Sequence, residues 1–323
     1  MTTHSFRHSI PEEILALSHE RDQLRRRGQY DRADALKQQI ESAGYAIKDN
    51  PRGAHLVILP SVEVDGQVYR MARQMPSLLD EPDRCTFSVN ILSRNTYEQT
   101  VRCVESVLRF ADSTDIEIVL IDNASQDGID LWAEAYRYQE PRLRVVHITR
   151  TMGEAEARNV GLKQSRGRYI LLLDSSVELT GDIFTPLMQT LEDGSVGITG
   201  LHGLHTDDLR NFEESHDAEV DVIDTLCMAF RRVLLKEAGL FDERYRFPYY
   251  MDVDFNFTVR DLGTTLVVTP DLPVTRHAIV PDARPTDAER TRLTKRNFYR
   301  FREKWGERED LLPAEEDDDE DEE

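Results

Sequence analysis

The chain is poor in cysteine, in positive charge and in long apolar runs, and each shortage removes a class of protein. Cysteine occurs three times in 323 residues, at Cys85, Cys103 and Cys227. No two of them form a C-x-x-C pair, which argues against a thiolate zinc site or a disulfide framework and suits a reducing compartment. Lys and Arg number 40 against 61 Asp and Glu, for a formal charge of −21. Such a chain is a poor general binder of nucleic acid or anionic membrane. Nine of the acidic residues crowd into Glu315–Glu323 and leave −12 on the rest. That run repels itself, buries nothing and is expected to be disordered. No stretch approaches the ~18 apolar residues of a membrane span, and MTTHSFRHSIPEE lacks the apolar segment of a secretory signal. A cytoplasmic protein without a membrane span is expected, and any envelope-bound acceptor would be met from the cytoplasmic side.

What is present is a chain of ordinary soluble composition organised around GEAEARNVGLKQSRGRYILLLDSSVE, Gly153 to Glu178. A short amphipathic segment carries Ala155, Ala157, Val160 and Leu162, and the basic turn Arg166-Gly167-Arg168 breaks it. The run Tyr169–Leu173 then stops abruptly on Asp174. An apolar run that short, without alternation, reads as a strand buried on both faces. In α/β sheets ligands sit beyond the carboxyl ends of such strands, where Asp174 and Glu178 emerge.

Earlier segments repeat the pattern. Phe87–Leu92 is a first buried strand with Arg94-Asn95 at its carboxyl end, followed by a helix over Thr100–Phe110. Ile116–Ile121 is a second strand, delivering Asp122 and Asn123. A helix from Ile129 to Tyr138 and a strand over Leu143–Ile148 follow. Strands and helices alternating at short intervals predict right-handed crossovers and a mainly parallel sheet. A plain dinucleotide fold would also show this order, but no G-x-G-x-x-G follows the first strand. Later, Asp207–Asp221 reads as a mobile polar loop, Val222–Arg231 as one strand, Val233–Ala238 as a helix and Leu266–Val268 as another strand. RLTKRNFYRFREKWG is a basic, aromatic-rich helix expected to pack on the core.

The N-terminal region reads differently. Pro11 opens a helix bearing Ile14, Leu15, Leu17 and Leu24, and a second helix runs from about Asp31 to Gly44. The two form a helical hairpin. HLVILPSVEVDGQVYR predicts two short strands around the turn signal Asp65-Gly66. Expected limits are a hairpin over 1–54, strands and linker over 55–83, the large domain over 84–305, and an acidic tail over 306–323.

Three ordered segments carry a resemblance. AEARNVGLKQSRGRYILLLDSSVEL resembles the A-R-N-x-G and D-x-D motifs of the family 2 glycosyltransferases. SVNILSRNTYEQTVRCVESVL and IEIVLIDNASQDG resemble that family's first strand and helix and its D-[DN]-x-S-x-D-G turn. LFDERYRFPYYMDVDFNFTVRDLG resembles its F-D-E and E-D-x-D segments. The resemblance covers about Cys85 to Trp305. It implies a GT-A fold, a Rossmann-like α/β arrangement with a mainly parallel sheet and flanking helices. It also implies metal-assisted, inverting transfer of a single sugar from a nucleotide-diphosphate sugar, UDP-linked by expectation, to an unspecified glycan, lipid or protein acceptor. By the same resemblance, Asn95, Asp122, Asn123, Arg158 and Asp174 bind the nucleotide sugar. Asp174, Ser176, Glu178 and His277 are the candidate ligands for Mg²⁺ or Mn²⁺, and Asp252 is the general base with Asp254 beside it.

Two positions depart from the family. Ser176 stands where D-x-D has its second Asp, and Met251 where the E-D pair has its Glu. A neutral hydroxyl is a weaker ligand for a hard cation, and Met removes the like-charge neighbour that would raise the base's pKa. A catalytically degenerate relative that binds nucleotide sugars or serves as a scaffold is therefore the alternative. The processive signature Q-x-x-R-W is absent. Ile14 to Val57, including GQYDRADALKQQIESAGYAIKDNPRG, also resembles the C-terminal end of cysteinyl-tRNA synthetases, which would imply an RNA-binding accessory. Residues 1–50 carry eight basic and eight acidic side chains, so the positive field for phosphate is missing and nucleic acid is not the expected partner.

Overall fold

A computed structural model describes residues 10–50, 53–111, 113–215, 217–245, 250–278 and 287–311. The acidic run Glu315–Glu323 and part of the expected F-D-E segment, at 246–249, lie outside the described residues. The chain divides into two compact units, Met1–Pro76 with Ile148–Thr151, and Ser77–His147 with Met152–Glu323.

The first unit opens with α1 (Glu12–Arg26) and α2 (Tyr30–Ser42). Their inner faces bury Ile14, Leu24, Ala33 and Ile40. Strands β1 (Tyr45–Asn50) and β2 (Gly53–Ile58) pair antiparallel, and β3 (Val62–Val64) and β4 (Gln67–Tyr69) form a tight hairpin. The left-handed turn of that hairpin is Asp65-Gly66 (φ 50° and 77°), the conformation a two-residue hairpin loop requires. Where the sequence predicted two strands over 55–70, the first stretch instead folds back on β1, and the turn joins two shorter strands.

The second unit begins with β5 (Cys85–Ser93), α3 (Tyr97–Phe110), β6 (Ile116–Asn123), α4 (Ile129–Arg137), β7 (Leu143–Ile148) and α5 (Glu154–Gln164). It continues through β8 (Gly167–Asp174), β9 (Val177–Leu179), α6 (Phe184–Glu192), β10 (Val196–Gly200), β11 (Gly203–His205), β12 (Glu213–Ser215), β13 (Val222–Ile223) and β14 (Cys227–Arg231). The last elements are α7 (Leu235–Ala238), α8 (Met251–Arg260), β15 (Thr265–Val268), β16 (Val274–Arg276) and α9 (Asp287–Trp305). Within this unit the sheet runs β15-β10-β14-β8-β5-β6-β7. β5 is parallel to both β6 and β8, while β14 is antiparallel to β8. The chain leaves β5 for β6 on one side and returns to β8 on the other. This reversal makes the carboxyl ends of β5 and β8 the switch point where an open α/β sheet binds ligands.

The strands are apolar on both faces because both are covered. Along β8, Leu171 and Leu173 pack with Val104 and Val107 of α3 and Leu187 of α6. Ile170 and Leu172 pack with Leu162 of α5 and Phe255 and Val259 of α8. Helix α9 buries Phe301 and Trp305 against Phe257 of α8. At the amino end of β8 the backbone comes so close to β5 that a Cβ on Gly167 would lie 2.3 Å from the Ser88 nitrogen.

Two expectations are corrected. Val222–Arg231 is not one strand: β13 pairs with β11 in a small separate sheet, and β14 joins the main sheet. Asp224–Leu226 turns the chain between them. The stretch 207–221 is not a bare polar loop, since its described residues form β12 and bury Leu209 and Asp221. Asp221 is held by Arg260 (2.8 Å) and the Thr206 N–H (2.9 Å).

Replacing Gly167 with Ala should cost about 1–3 kcal/mol of stability, because the clash is with backbone that cannot step aside. A thermal midpoint equal to that of the wild type would show that the approach of β8 to β5 is not tight.

Candidate active site

Four loops meet at the carboxyl edge of the sheet. The β5–α3 loop is tied to the β6–α4 loop through Asn95, whose side-chain oxygen accepts the Gln126 N–H (2.7 Å) and whose own N–H donates to Ser125 Oγ (3.1 Å). Thr96 and Ser175 hydroxyls, 3.2 Å apart, link the same loop to the end of β8. Three of the six non-glycine residues with left-handed φ among the described residues lie here: Asn95, Ala124 and Tyr250. Strained backbone of this kind collects where a site over-determines its geometry.

Asp122 ends β6 almost fully buried. Its Oδ1 accepts the Ser125 N–H (2.9 Å) and its Oδ2 faces His147 (3.3 Å). Asn123, expected beside it as a ligand residue, spends both ends of its amide on the backbone of Met152, at 2.8 and 3.1 Å. It clamps the chain entering α5. Arg158 is buried on α5, with Nε and Nη2 each 3.0 Å from Glu154 Oε1.

Asp174 leaves β8 with Oδ1 accepting both the N–H (2.9 Å) and the hydroxyl (2.5 Å) of Ser176. Among the described residues nothing bonds to its Oδ2. Glu178 and His277 face each other across the β9–β16 pair, Oε2 to Nε2 at 2.6 Å, and the His277 N–H donates to the Ser176 carbonyl (2.8 Å). The four expected metal ligands therefore form two hydrogen-bonded pairs. Among the described residues no three His, Cys, Asp or Glu side chains come together as a metal-ligand set.

Asp252 and Asp254 stand in the first turn of α8, two residues apart, and positions i and i+2 of a helix do not share a face. Asp254 turns to α9, where it accepts Trp305 Nε1–H (2.8 Å) and Lys304 Nζ (3.0 Å). It anchors that helix and does not join the cleft. Asp252 faces the other way. Burial pushes its pKa up to about 6, helped by the charges of Glu154 and Asp224 and opposed by the Val253 N–H that its Oδ1 accepts.

Asp224, not singled out from the sequence, completes the group. It sits in the turn between β13 and β14, where its carboxylate accepts the Leu226 N–H (3.1 Å) while Asp174 N–H donates to the Leu226 carbonyl (2.9 Å). Burial raises its pKa, with the Leu226 N–H, His202 and Arg276 opposing and Asp174 adding repulsion. Buried Asn256 holds it relative to Asp252. The Asn256 amide pairs with both backbone groups of Ile223 (each 2.9 Å) and donates to the Asp252 carbonyl (2.7 Å). A lone Asp inside the apolar run VIDTLCMAFR was the available signal. Electrostatic coupling thus joins Asp174 to Asp224, and Asp224 and Glu154 to Asp252, a carboxylate able to take a proton near neutral pH.

The fold and this acidic edge define an α/β protein with acidic residues gathered at the sheet's switch point. The pattern of Glycosyl transferase family 2 matches residues 88–253, just over half the chain. The chain belongs to glycosyl transferase family 2. It is 32% identical over 106 residues to glycosyltransferase GlyG of Streptococcus pneumoniae serotype 4, covering 33% of this chain and 35% of that protein. It is 28% identical over 149 residues to the succinoglycan biosynthesis protein ExoO of Rhizobium meliloti, covering 45% of this chain and 41% of that protein. The matches thus span between about a third and two fifths of these relatives' length. The crystal structure of GalNAc-T7 with UDP, GalNAc and Mn²⁺ superposes with a TM-score of 0.59 at 16% identity, covering 74% of this chain and 54% of that one. It shares the GT-A fold. Among the described residues no helix is long and apolar enough to cross a membrane.

The raised proton affinity of Asp252 sets a stability signature. Between the ordinary carboxylate value of 3.8 and about 6, the folded chain holds a proton that the unfolded chain releases. This contribution is greatest below pH 4, falls as pH rises towards 6 and is gone above it. Asp252→Asn should therefore melt above the wild type at pH 8, with the gap closing towards pH 4. A gap that is constant with pH would remove the shift.

Proposed function

We propose that the chain transfers a single sugar from a nucleoside diphosphate sugar, UDP-linked, to an acceptor hydroxyl, within the domain spanning residues 84–305. The observation that carries this is Asp252, a partly buried carboxylate of raised proton affinity at the switch point, within electrostatic reach of Asp224 and Glu154. In this reading Asp122 accepts a hydrogen bond from the edge of the uracil base. Asn95 and Asn123 shape that subsite through the loops they clamp. Asp252 takes the proton of the acceptor hydroxyl as its oxygen attacks the anomeric carbon, and the nucleoside diphosphate departs with the bonding pair. Direct displacement inverts the anomeric centre. General-base help of this kind contributes roughly 10²–10⁴-fold. Met251 lacks the charge expected next to the base, and Glu154 with Asp224 supply that repulsion from other elements.

Mn²⁺ in the GalNAc-T7 crystal supports a divalent cation for the fold. Of the expected ligands, Asp174 keeps one carboxylate oxygen outside its bonds to Ser176, a hard donor of the kind such a cation takes. Asp174, through its second oxygen, would hold it. When bound, the cation offsets the charge that develops on the departing diphosphate. Arg158, locked to Glu154, keeps that carboxylate beside Asp252.

A catalytically degenerate nucleotide-sugar binder is the second reading. The observation favouring it is the closure of both expected ligand pairs on themselves, Asp174 on Ser176 and Glu178 on His277.

One set of measurements separates the two. With UDP-, GDP- and dTDP-sugars and a panel of acceptors, the wild type should turn over one donor, and Asp252→Asn should lose roughly 10²–10⁴-fold in rate at unchanged UDP affinity. Asp122→Ala and Asp174→Ala should each weaken UDP by at least ~1 kcal/mol in calorimetry. A wild type that binds a donor and turns over none leaves the second reading standing.

A further inference from the structure

His147, on β7, sets its imidazole against Asp122 near the carboxyl end of β6. Its Nδ1 lies 3.3 Å from Asp122 Oδ2, and its Nε2 lies 3.0 Å from Glu134 Oε1 on α4. The second oxygen of Glu134 is engaged by Arg137 at 3.0 Å. The ionisable groups set against the imidazole are thus Asp122 from β6 and Glu134 from α4, with Arg137 behind Glu134. A neutral imidazole carries one N–H and can donate to only one of two carboxylates. The imidazolium donates to both. Asp122 is nearly buried, so its charge also needs a counter-charge close by. With Ser125 on Oδ1 and His147 on Oδ2, the carboxylate is gripped at both ends.

We infer that His147 is a positioning residue for the nucleotide base: its imidazolium bridges Glu134 to Asp122, holds the Asp122 carboxylate in its base-facing orientation, and makes nucleotide affinity depend on pH. The inference rests on the reading of Asp122 as the base-binding carboxylate. Burial works against the imidazolium, but the bonds to Asp122 and Glu134 outweigh it and raise the ring's pKa above its ordinary 6.5. The bridging form is therefore complete below pH 6.5 and lost as pH rises through the raised value. Nothing in the chemistry of sugar transfer itself requires this histidine, and it does not touch the reacting atoms.

The test is calorimetric titration of UDP into the full chain and into His147→Gln from pH 5.5 to pH 9. Gln keeps a donor towards Asp122 and does not titrate. The ratio of wild-type to variant affinity at each pH cancels the titration of UDP itself. The expected ratio is about 3- to 10-fold below neutral pH, the scale of one ordinary hydrogen bond, since Gln keeps a neutral donor in place, and falls towards one above the titration. Glu134→Gln, altered at a partly exposed position, should move the break in the wild-type profile to lower pH. It serves as the reading if His147→Gln does not fold. A ratio that is flat with pH, or a Glu134→Gln profile that matches the wild type, overturns the inference. Asp122→Ala separates the two levels: loss of UDP affinity there with a flat His147→Gln ratio overturns the role of His147 alone. Unchanged UDP affinity in Asp122→Ala overturns the base subsite and the inference together.

Discussion

A strand that is apolar on both faces must end where its charges begin, and much of this molecule follows from that constraint on β8. Leu171 and Leu173 are committed to α3 and α6, and Ile170 and Leu172 to α5 and α8. Neither face can accept Asp174 without leaving a carboxylate in apolar surroundings, which is far costlier than ending the strand. The parallel neighbour β5 is bound by the same rule, as is β6, which delivers Asp122 to the same edge. A parallel sheet covered on both sides therefore sorts its charged residues towards its ends, where polar groups from several strands can meet. At the opposite end the close approach at Gly167 and the buried Glu117 hold the three strands in register. Glu117 accepts the Ser88 hydroxyl (2.6 Å) and Arg166 Nη2 (2.8 Å).

Gathering four carboxylates at one edge works against stability. Asp224 lies within electrostatic reach of Asp174, and Asp252 of Asp224 and Glu154, and burial first, with that repulsion added, raises the proton affinities of Asp224 and Asp252. The fold offsets that cost with directed polar contacts, Leu226 N–H on Asp224, Val253 N–H on Asp252 and Ser176 on Asp174, and with Arg158 as the counter-ion of Glu154. Asn256 keeps two of the carboxylates at fixed separation through backbone groups alone. Asp252 is the carboxylate brought nearest to neutrality, its pKa pushed up to about 6.

The parallel core was legible because its signal is local. Runs such as FSVNIL, IEIVLI and YILLL are too short for helices and too apolar for one-sided strands, and β5, β6, β7 and β8 lie where those runs predicted, within a few residues. The breaks were harder to see. Val222–Arg231 reads as one strand because nothing in its composition tells two sheets apart, and only the pairing of β13 with β11 and of β14 with β8 divides it. Asp254 looked like a companion of Asp252 because the two are close in sequence. The helix of which they are part separates them by more than half a turn, which the spacing alone could have said.

By itself the sequence determined the alternation of buried strands and helices, the acidic ends of β6 and β8, and the helical hairpin at its start, since each depends on residues within a few positions of one another. Tertiary structure alone decided which of the acidic residues share a cleft. Asp224 comes to Asp174 through the antiparallel insertion of β14, and Glu154 comes to Asp252 through the packing of α5 and α8 on one face of the sheet. His277 is turned to Glu178 by the β9–β16 pair, and Asp254 is drawn off by Trp305 and Lys304. The physical reason is range: apolar periodicity acts over one turn or one pleat, whereas the charge state of a carboxylate answers to whatever the fold brings within a few ångströms of it.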